Sequence, residues 1–276
     1  MKKRAYLSLI VVITLNIMVV SAMGKMTNKL ELVVDCYFNN RNELLAAVDE
    51  VIVFHTTILD ALFPNQSHVV YRQFKDIVDQ LNDVLRRNKS PNYSFVYDQV
   101  VSFGELLSTT IISSYLTEMH IENEWLDVRN VIKTDEKYRD ANVHWDITQK
   151  NITSKVNKKA LTITQGFLGS DKNNNTTTLG REGSDYTAAI FAYCLNATNV
   201  TVWKDVPGVL NADPRYFDNA ELLHQISYEE AIELAFYGAS VIHPKTLQPL
   251  QRKEIPLFVK SFLNPEASGT CVGKGK

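Results

Sequence analysis

Runs of apolar residues bounded by polar turns predict several buried strands along this chain. The run Ile17 to Val20 is entirely apolar and rich in β-branched residues, and it stops at a polar turn that carries Gly24. Short apolar runs of this kind are typical of strands buried on both faces, as in a parallel sheet. We therefore expect a strand, a loop and a helix that begins near Thr27. Comparable runs predict strands at Trp125 to Val131, Ala160 to Thr164, Asn199 to Trp203 and Ile255 to Val259.

Between these runs, apolar residues recur at three- and four-residue spacing and predict helices. The pattern is clearest from Glu43 to Leu62 and from Tyr71 to Arg87, where charged residues lie between the apolar ones, as in amphipathic helices. Alternating strands and helices are typical of an α/β fold whose mostly parallel sheet is covered on both faces. Further helices are predicted at Phe95 to Met119, Tyr186 to Leu195, Ser227 to Phe236 and from His243 onward.

One stretch, Thr178 to Asp185, carries two glycines, an arginine and a Ser-Asp helix start within a single turn. Glycine lets the backbone approach a ligand closely, and the N–H groups at a helix N-terminus point towards bound anions. The stretch therefore indicates a phosphate or carboxylate site, with an ordinary glycine-bent loop and N-cap as the alternative. It follows the segment Lys172 to Thr178, which has no apolar pattern. We expect that segment to be a flexible loop able to close over a substrate.

Composition places the chain among ordinary globular proteins. Hydrophobic residues make up 45% and charged residues 22%, with a formal net charge of -2. No excess of basic residues indicates nucleic-acid binding. The three cysteines, Cys36, Cys194 and Cys271, lack metal-ligand spacing and are odd in number, so we expect free thiols in a reducing compartment.

The amino terminus has the layout of a secretory signal peptide. Three basic residues, Lys2 to Arg4, precede the apolar run Ala5 to Val20 and the small residues Ser21 and Ala22, which is the three-part pattern of such peptides. Cleavage after Ala22, however, would remove the first predicted strand of the sheet. The run also carries Thr14 and Asn16 and is too polar for a membrane span of about 20 apolar residues. We therefore expect a cytoplasmic protein without membrane association, with a secreted or membrane-tethered form as the alternative.

Six motifs in a fixed order carry more information than any one of them. They are Ser21-Ala22-Met23-Gly24 with Thr27-Asn28, Phe103-Gly104-Glu105, Gly166-Phe167-Leu168-Gly169, Thr177 to Asp185, Trp203 to Arg215 and His243-Pro244-Lys245. This set resembles the catalytic domain of the aspartate kinases, in the amino acid kinase family. The resemblance implies an αβα sandwich with a mostly parallel central sheet. It also implies transfer of the ATP γ-phosphoryl group to the side-chain carboxylate of L-aspartate, the first step towards lysine, threonine and methionine.

Carried over position by position, the resemblance implies two sets of site residues. L-aspartate would be bound by Thr27, Glu105 and Arg181, in a pocket also lined by Ser21, Phe167 and Ser184. Asp185 would organise the reacting centre, so that Asp185, Arg181 and Lys245 form the catalytic set. The nucleotide would be surrounded by Lys204, Asp205, Leu210, Arg215 and Lys245. Mg²⁺ would accompany ATP on its phosphates, without a metal site made by the protein alone, and the resemblance further implies a homo-oligomer.

The chain departs from the family pattern in ways that leave alternatives open. Lys204 stands where many relatives carry threonine and Leu210 where many carry tyrosine, and the family's Lys-Phe-Gly-Gly-Thr-Ser loop does not precede Ile17. We expect an atypical leader at 1–16, a catalytic domain at 17–270 that lacks the family's first strand and helix, and a tail at 271–276 without regulatory ACT domains. An active aspartate kinase is the first hypothesis. A catalytically inactive aspartate- or nucleotide-binding remnant, or an interaction protein, is the second.

Overall fold

Nine strands are described in this computed structural model, which covers residues 17–157, 160–237 and 241–274. The predicted leader at 1–16 lies outside the described residues. The strands are β1 Ile17–Val20, β2 Asn123–Leu126, β3 Leu161–Gln165, β4 Leu168–Ser170, β5 Thr176–Thr178, β6 Val200–Lys204, β7 Gln225–Ser227, β8 Leu257–Ser261 and β9 Thr270–Gly273.

The helices account for most of the remaining chain. In the described residues they are α1 Met26–Asn39, α2 Leu44–Leu62, α3 Val69–Arg87, α4 Tyr93–Val101, α5 Phe103–Glu118, α6 Trp145–Lys155, α7 Gly183–Leu195, α8 Tyr228–Phe236 and α9 Pro244–Arg252, with one 3₁₀ turn at Val128–Asn130. None of the helices in the described ranges is both long enough and apolar enough to cross a membrane.

A three-stranded parallel sheet places the first polar turn of the chain beside a glycine-rich one. Its strand order is β1-β3-β2, and Val20 pairs with Gln165 at the end of the ladder. Ser21 and Gly166 therefore leave the same edge of the sheet side by side. Helix α5 contacts β2 and β3, while α7 contacts β1. The predicted strand at Ile17 to Val20 and the helix start near Thr27 are both confirmed.

The second sheet has four strands in the order β6-β8-β9-β7. β6 is parallel to β8 and β7 to β9, whereas β8 and β9 are antiparallel. Parallel pairings outnumber antiparallel ones over the described strands, and the α/β class with a mostly parallel sheet is confirmed. β9 was not predicted, and the predicted boundary at residue 270 falls within it. Thr270 and Val272 are fully buried, and Cys271 to Gly273, which fall in the predicted tail, belong to the sheet.

Two predicted elements differ in the structure because side chains cap the backbone locally. The helix predicted from Phe95 to Met119 is two helices, which meet at Ser102. The Ser102 hydroxyl donates to the carbonyl of Gln99 at 2.9 Å, a local bond that competes with the helical ladder. The strand predicted from Trp125 to Val131 ends at Leu126, because the Asp127 carboxylate accepts the N–H of Arg129 at 3.0 Å and starts the 3₁₀ turn.

The segment Lys172 to Thr178, predicted as a flexible loop, is half of a β-hairpin. Thr176–Thr178 forms β5 and pairs antiparallel with β4, and all three threonines are buried. The Asp171 carboxylate makes the turn by accepting the N–H groups of Asn173 and Asn175 at 2.8 and 2.9 Å. The prediction of an open loop was wrong because threonine is a polar residue that also fits well in strands.

Helix α7 lies between two of the three hydrophobic clusters. One cluster fills the space among α1 to α5. The second lies under the four-stranded sheet and includes Ala189 and Ala192 of α7. The third packs the other side of α7, through Ile190 and Phe191, against α6 and the 3₁₀ turn. The amino end of α7 is thereby fixed relative to both sheets.

Candidate active site

A pocket of about 470 Å³ opens where the first sheet, α5 and the amino end of α7 meet. Ten of its lining residues belong to the turn Gly180 to Asp185 or to predicted substrate positions elsewhere. The thirteen residues of the wall are Ser21, Thr27, Tyr97, Glu105, Arg139, Phe167, Gly180, Arg181, Glu182, Gly183, Ser184, Asp185 and Lys204. All six predicted aspartate-binding residues are therefore brought together in one place.

The turn that carries Arg181 is shaped by left-handed backbone and by close packing. Gly180 has φ 86° and Glu182 has φ 53°, and α7 begins at Gly183, one residue before the predicted Ser-Asp start. A Cβ on Gly183 would lie 2.6 Å from the Phe167 ring, and one on Gly166 would lie 2.4 Å from the Ser184 hydroxyl. Because such contacts are too short for real atoms, both positions require glycine. The motif is thus a tight junction between β3 and α7.

Glu105 is a buried carboxyl group that has no cationic partner in the described part of the chain. Its side chain is 2% exposed, Oε1 accepts the N–H of Ala22 at 3.3 Å, and Oε2 accepts no hydrogen bond. Burial raises the pKa of Glu105 to about 8, although the bond from Ala22 favours the charged form. A carboxylate in this state gains much from a cation that enters the pocket and pairs with it.

The other predicted aspartate residues complete this end of the pocket. Arg181 is exposed, and no described carboxylate lies within ion-pair distance of its guanidinium. Phe167 has φ 69°, and its N–H is fixed by the hydroxyl of Thr187 at 3.0 Å. Ser21 and Thr27 line the wall across from the turn. Among the described residues, the pocket therefore holds a buried carboxyl group without a cationic partner and a guanidinium without an anionic one.

Lys204, predicted to contact the nucleotide, points into the same pocket. Its ammonium lies 2.9 Å from Asp185 Oδ2 and 3.5 Å from Glu182 Oε2, and its side chain is 21% exposed. Neither oxygen accepts a well-aligned hydrogen bond, so these contacts are mainly electrostatic. Burial alone would lower the pKa of Lys204, but the two carboxylates outweigh it and raise the pKa. One ammonium thus neutralises two carboxylates only in part.

The remaining predicted nucleotide residues lie outside this pocket. Asp205 and Leu210 follow β6, and Leu210 forms an isolated bridge with Leu222. Arg215 is 80% exposed in its side chain and pairs with Asp213 at 2.6 Å. The segment after β6 therefore carries these residues at the carboxyl edge of the second sheet, as the turn signals predicted, but the structure does not bring them into the wall described above.

Lys245, predicted as both catalytic and nucleotide-binding, lies behind the Gly180 turn. Its ammonium pairs with Asp140 and donates to the carbonyl of Leu179 at 3.3 Å. Burial alone would raise the pKa of Asp140, but bonds from Lys137 and Lys245 outweigh it and lower the pKa. Lys245 is also 5.9 Å from the ring centre of Tyr186. In the described structure, Lys245 therefore contacts the backbone of the turn and not the pocket wall.

Three lining residues were not assigned a role by the sequence analysis: Tyr97, Arg139 and Glu182. Glu182 lies within the predicted motif, where its left-handed backbone would favour glycine. Tyr97 lies on α4, and Arg139 lies in a loop with no apolar pattern. No signal in the sequence marked Tyr97 or Arg139, because only the packing of the 135–142 loop against α4 brings them to the pocket.

A second, larger pocket on the surface is a weaker candidate for the active site. It measures about 880 Å³ and lies between α3, α4 and the hairpin. Its charged residues include Asp79, Asp83 and Arg129, which pair with Lys75, Arg86 and Asp127 respectively. None of the predicted site residues lines it. We therefore place the candidate active site in the smaller pocket, where the predicted site residues meet and where Glu105 and Arg181 have no ion-pair partner among the described residues.

The sequence matches one known family over most of its length. A profile described as the amino acid kinase family covers residues 8–261. The chain belongs to the amino acid kinase family. Within this family it is homologous to aspartokinases. It is 34% identical over 262 residues to the lysine-sensitive aspartokinase 3 of Escherichia coli (strain K12), a match that covers 93% of this chain and 57% of that protein.

Further comparisons within the amino acid kinase family agree. Aspartokinase 1, chloroplastic, of Arabidopsis thaliana is 33% identical over 271 residues, which cover 94% of this chain and 46% of that protein. The crystal structure of E. coli aspartokinase III in complex with aspartate and ADP superposes with a TM-score of 0.87 at 34% identity. The superposed region is 95% of this chain and 58% of the crystallised one. The chain therefore spans about half to three fifths of the length of these relatives.

Proposed function

We propose that this chain is the catalytic domain of an aspartate kinase, which transfers the γ-phosphoryl group of ATP to the side-chain carboxylate of L-aspartate. The products are 4-phospho-L-aspartate and ADP. The observation that carries this proposal is the unpaired, buried Glu105 in one pocket with the unpaired Arg181. The related E. coli aspartokinase III has been crystallised with aspartate and ADP, which supports the same pair of ligands here.

The charges of the pocket match those of a free amino acid. Glu105 would pair with the ammonium of L-aspartate, since a buried carboxylate gains most from a cation. Arg181 would bind the α-carboxylate, because a guanidinium binds a carboxylate through two parallel hydrogen bonds. Ser21, Thr27 and Ser184 add polar groups around the substrate, and the Phe167 ring closes the wall. The side-chain carboxylate is then left to face Asp185 and Lys204.

The nucleophile needs no base. An aspartate side chain has a pKa of about 3.9 and is ionised at neutral pH, so a carboxylate oxygen attacks the γ-phosphorus as the bond to the β–γ bridging oxygen breaks. The obstacle is repulsion between two anions, and positioned positive charge overcomes it. Lys204 would provide that charge beside the acceptor, and Asp185 would orient Lys204. Asp185 removes no proton in this scheme.

Mg²⁺ is proposed to enter with ATP. Across the described residues, no three His, Cys, Asp or Glu side chains are grouped as a metal cage, but Mg²⁺ in kinases is bound by phosphates, water and one or two carboxylates. Asp185 and Glu182 fit this need, since each has a buried oxygen without an aligned hydrogen bond. Those two residues would hold the ion, which supplies charge neutralisation on the phosphates.

Nucleotide binding by Asp205, Leu210, Arg215 and Lys245 is also a proposal. For Asp205, Leu210 and Arg215 it is supported by their place after β6, at the carboxyl edge of the second sheet, where ligands of open α/β sheets bind. For Lys245 it is supported by the contact of its ammonium with the backbone of the turn that carries Arg181. We further propose that the catalytic domain extends from Ile17 through β9, beyond the predicted boundary at residue 270. The homo-oligomeric state and the cytoplasmic location remain predictions.

Trapping of the acyl phosphate tests the proposed function. The chain is incubated with ATP, Mg²⁺, L-aspartate and hydroxylamine, and aspartyl hydroxamate is measured against a reaction without L-aspartate. We expect hydroxamate that depends on both substrates and is lost in Asp185→Asn. Absence of product above the blank would contradict catalysis by this chain. If L-aspartate still bound in calorimetry, that result would favour the inactive binding protein.

A further inference from the structure

We propose that Arg139 is a second substrate-binding residue, which together with Arg181 holds the α-carboxylate of the amino-acid substrate and selects for it. This inference rests on the proposed function. It names a residue outside the predicted site, in the loop between the 3₁₀ turn and α6. Arg139 lines the same pocket as Arg181 and Glu105, and three independent features of the structure hold it there.

The first feature is a strained backbone held by a buried carboxylate. Arg139 has φ 69°, a region that arginine rarely adopts. Its N–H donates to both oxygens of Asp98, at 3.1 and 3.0 Å, and Asp98 is fully buried. Asp98 also accepts the N–H and the hydroxyl of Thr178, at 2.8 Å each. One carboxylate thus fixes Arg139 to the strand that leads into the Arg181 turn.

The second feature is an aromatic surface under the guanidinium. The Arg139 guanidinium carbon lies 4.4 Å from the centre of the Tyr97 ring. The Tyr97 hydroxyl donates to Glu31 Oε1 at 2.7 Å, which fixes the ring. Stacking uses the face of the guanidinium and leaves its N–H edge free. No carboxylate in the described part of the chain lies within ion-pair distance of that edge.

The third feature is the position of this loop against the Arg181 turn. A Cβ on Gly180 would lie 3.5 Å from the carbonyl oxygen of Arg139 and 2.7 Å from the Asp140 carboxylate. The two loops are therefore in contact, and both arginines line the same pocket. Lys204 and Asp185 line this pocket as well, and they pair with each other at the start of α7. Arg139 and Arg181, which have no carboxylate partner among the described residues, line the same pocket as the buried carboxyl group of Glu105. This set of groups suits an α-carboxylate next to an ammonium.

Direct binding measurements test this assignment without catalysis. L-aspartate is titrated into the full chain by calorimetry, in the absence of ATP, for the wild type and Arg139→Met. We expect Kd to rise about tenfold in Arg139→Met. This increase is at the lower end of the range for loss of a charge-assisted hydrogen bond, because Arg139 is exposed to solvent. The matched control is Arg41→Met, which removes another arginine stacked on a tyrosine, 4.6 Å from the Tyr37 ring and outside the pocket. That control should leave Kd unchanged.

A ligand change identifies the group that Arg139 binds. The α-amide of L-aspartate keeps the ammonium and the side-chain carboxylate but lacks the α-carboxylate. The wild type should bind L-aspartate more tightly than this amide. Arg139→Met should reduce that ratio of affinities about tenfold, because the amide lacks the carboxylate that Arg139 binds and its affinity changes less. An equal loss of affinity for both ligands would overturn the assignment to the α-carboxylate.

Arg139→Gly separates binding from folding. Glycine adopts positive φ without strain, so this variant should melt no lower than the wild type while Kd rises about tenfold. If the wild type binds L-aspartate and both Arg139 variants bind it equally well, the inference alone is wrong. If the wild type binds no L-aspartate, the proposed function fails, and the inference fails with it.

Discussion

The two ends of the pocket differ in whether their charged side chains already have ion-pair partners. At the amino-acid end, Glu105 is buried without a cation, and the Arg139 and Arg181 guanidinium groups have no carboxylate within the described residues. At the reacting end, Lys204 already pairs with Asp185 and Glu182. The first end is complementary to a ligand that is absent, whereas the second must exchange partners when a ligand enters. Affinity for the amino acid should therefore depend on single residues, and turnover on a group of three.

The largest expected effect comes from the buried carboxyl group of Glu105. Glu105→Gln keeps the shape of the side chain but removes the charge that pairs with the substrate ammonium, so Kd for L-aspartate should rise about 100-fold. Calorimetry checks this, with Glu50→Gln as the control because Glu50 is an exposed residue paired with Lys29. Tight binding by Glu105→Gln would show that the ammonium lies elsewhere.

A smaller effect is expected where the charges are already paired. Lys204→Met removes the ammonium that pairs with Asp185 and Glu182, so less positive charge faces the acceptor carboxylate and ATP. We expect kcat for hydroxamate formation to fall between about tenfold and 100-fold with a smaller change in Kd for L-aspartate. Lys75→Met, which removes a surface lysine paired with Asp79, is the control. A rise in KM for ATP at constant kcat would instead assign Lys204 to ground-state nucleotide contacts.

The burial of Glu105 should also be visible in stability without any ligand. Its pKa in the folded chain is about 8, above the value of about 4.3 expected when unfolded. The folded chain therefore holds an extra proton between these values, and its stability should fall as pH rises from about 5 to about 8. Glu105→Gln removes this penalty and should melt roughly 5 °C above the wild type at pH 8, but not at pH 5. Parallel curves of Tm against pH would contradict the shifted pKa.

The smallest effect is expected on the segment after β6. Arg215 is exposed and pairs with Asp213 only two residues away, and exposed ion pairs contribute little. Arg215→Ala should change Tm by less than about 1 °C. If Arg215 binds the nucleotide as proposed, KM for ATP should still rise by about threefold or more. An unchanged KM would remove Arg215 from the nucleotide site.

The sequence predicted the elements whose polarity pattern was simple. β1, the start of α1 and the α/β class follow from apolar runs and their period. The β4–β5 hairpin was missed because buried threonines look like a polar loop. Helix α6 was also missed, although Trp145, Thr148 and Ile152 have helical spacing, because its moderate polarity gave no clear apolar face.

Only site residues that belong to a recognisable motif could be predicted from the sequence. Local chemistry marked the turn around Arg181, and resemblance to the aspartate kinases added Glu105. Neither could indicate that Lys204 turns towards Asp185, since that depends on how β6 approaches α7. Arg139 had no motif at all. Its place in the pocket results from Asp98 on α4 and Thr178 on β5, which lie far apart in the chain and meet only after folding.

Helix α7 contributes apolar residues to two hydrophobic clusters at once. Neither cluster can open without exposing one side of this helix, so the two sheets should unfold in a single cooperative step. Variants that keep only Trp125 in β2 or only Trp203 in β6 report separately on the two sheets, and their fluorescence transitions in denaturant should coincide. The amino end of α7 also carries Ser184 and Asp185, so the fraction of chain that binds ligand should decrease with denaturant together with the folded fraction. We therefore expect no partly unfolded state that still binds the ligand.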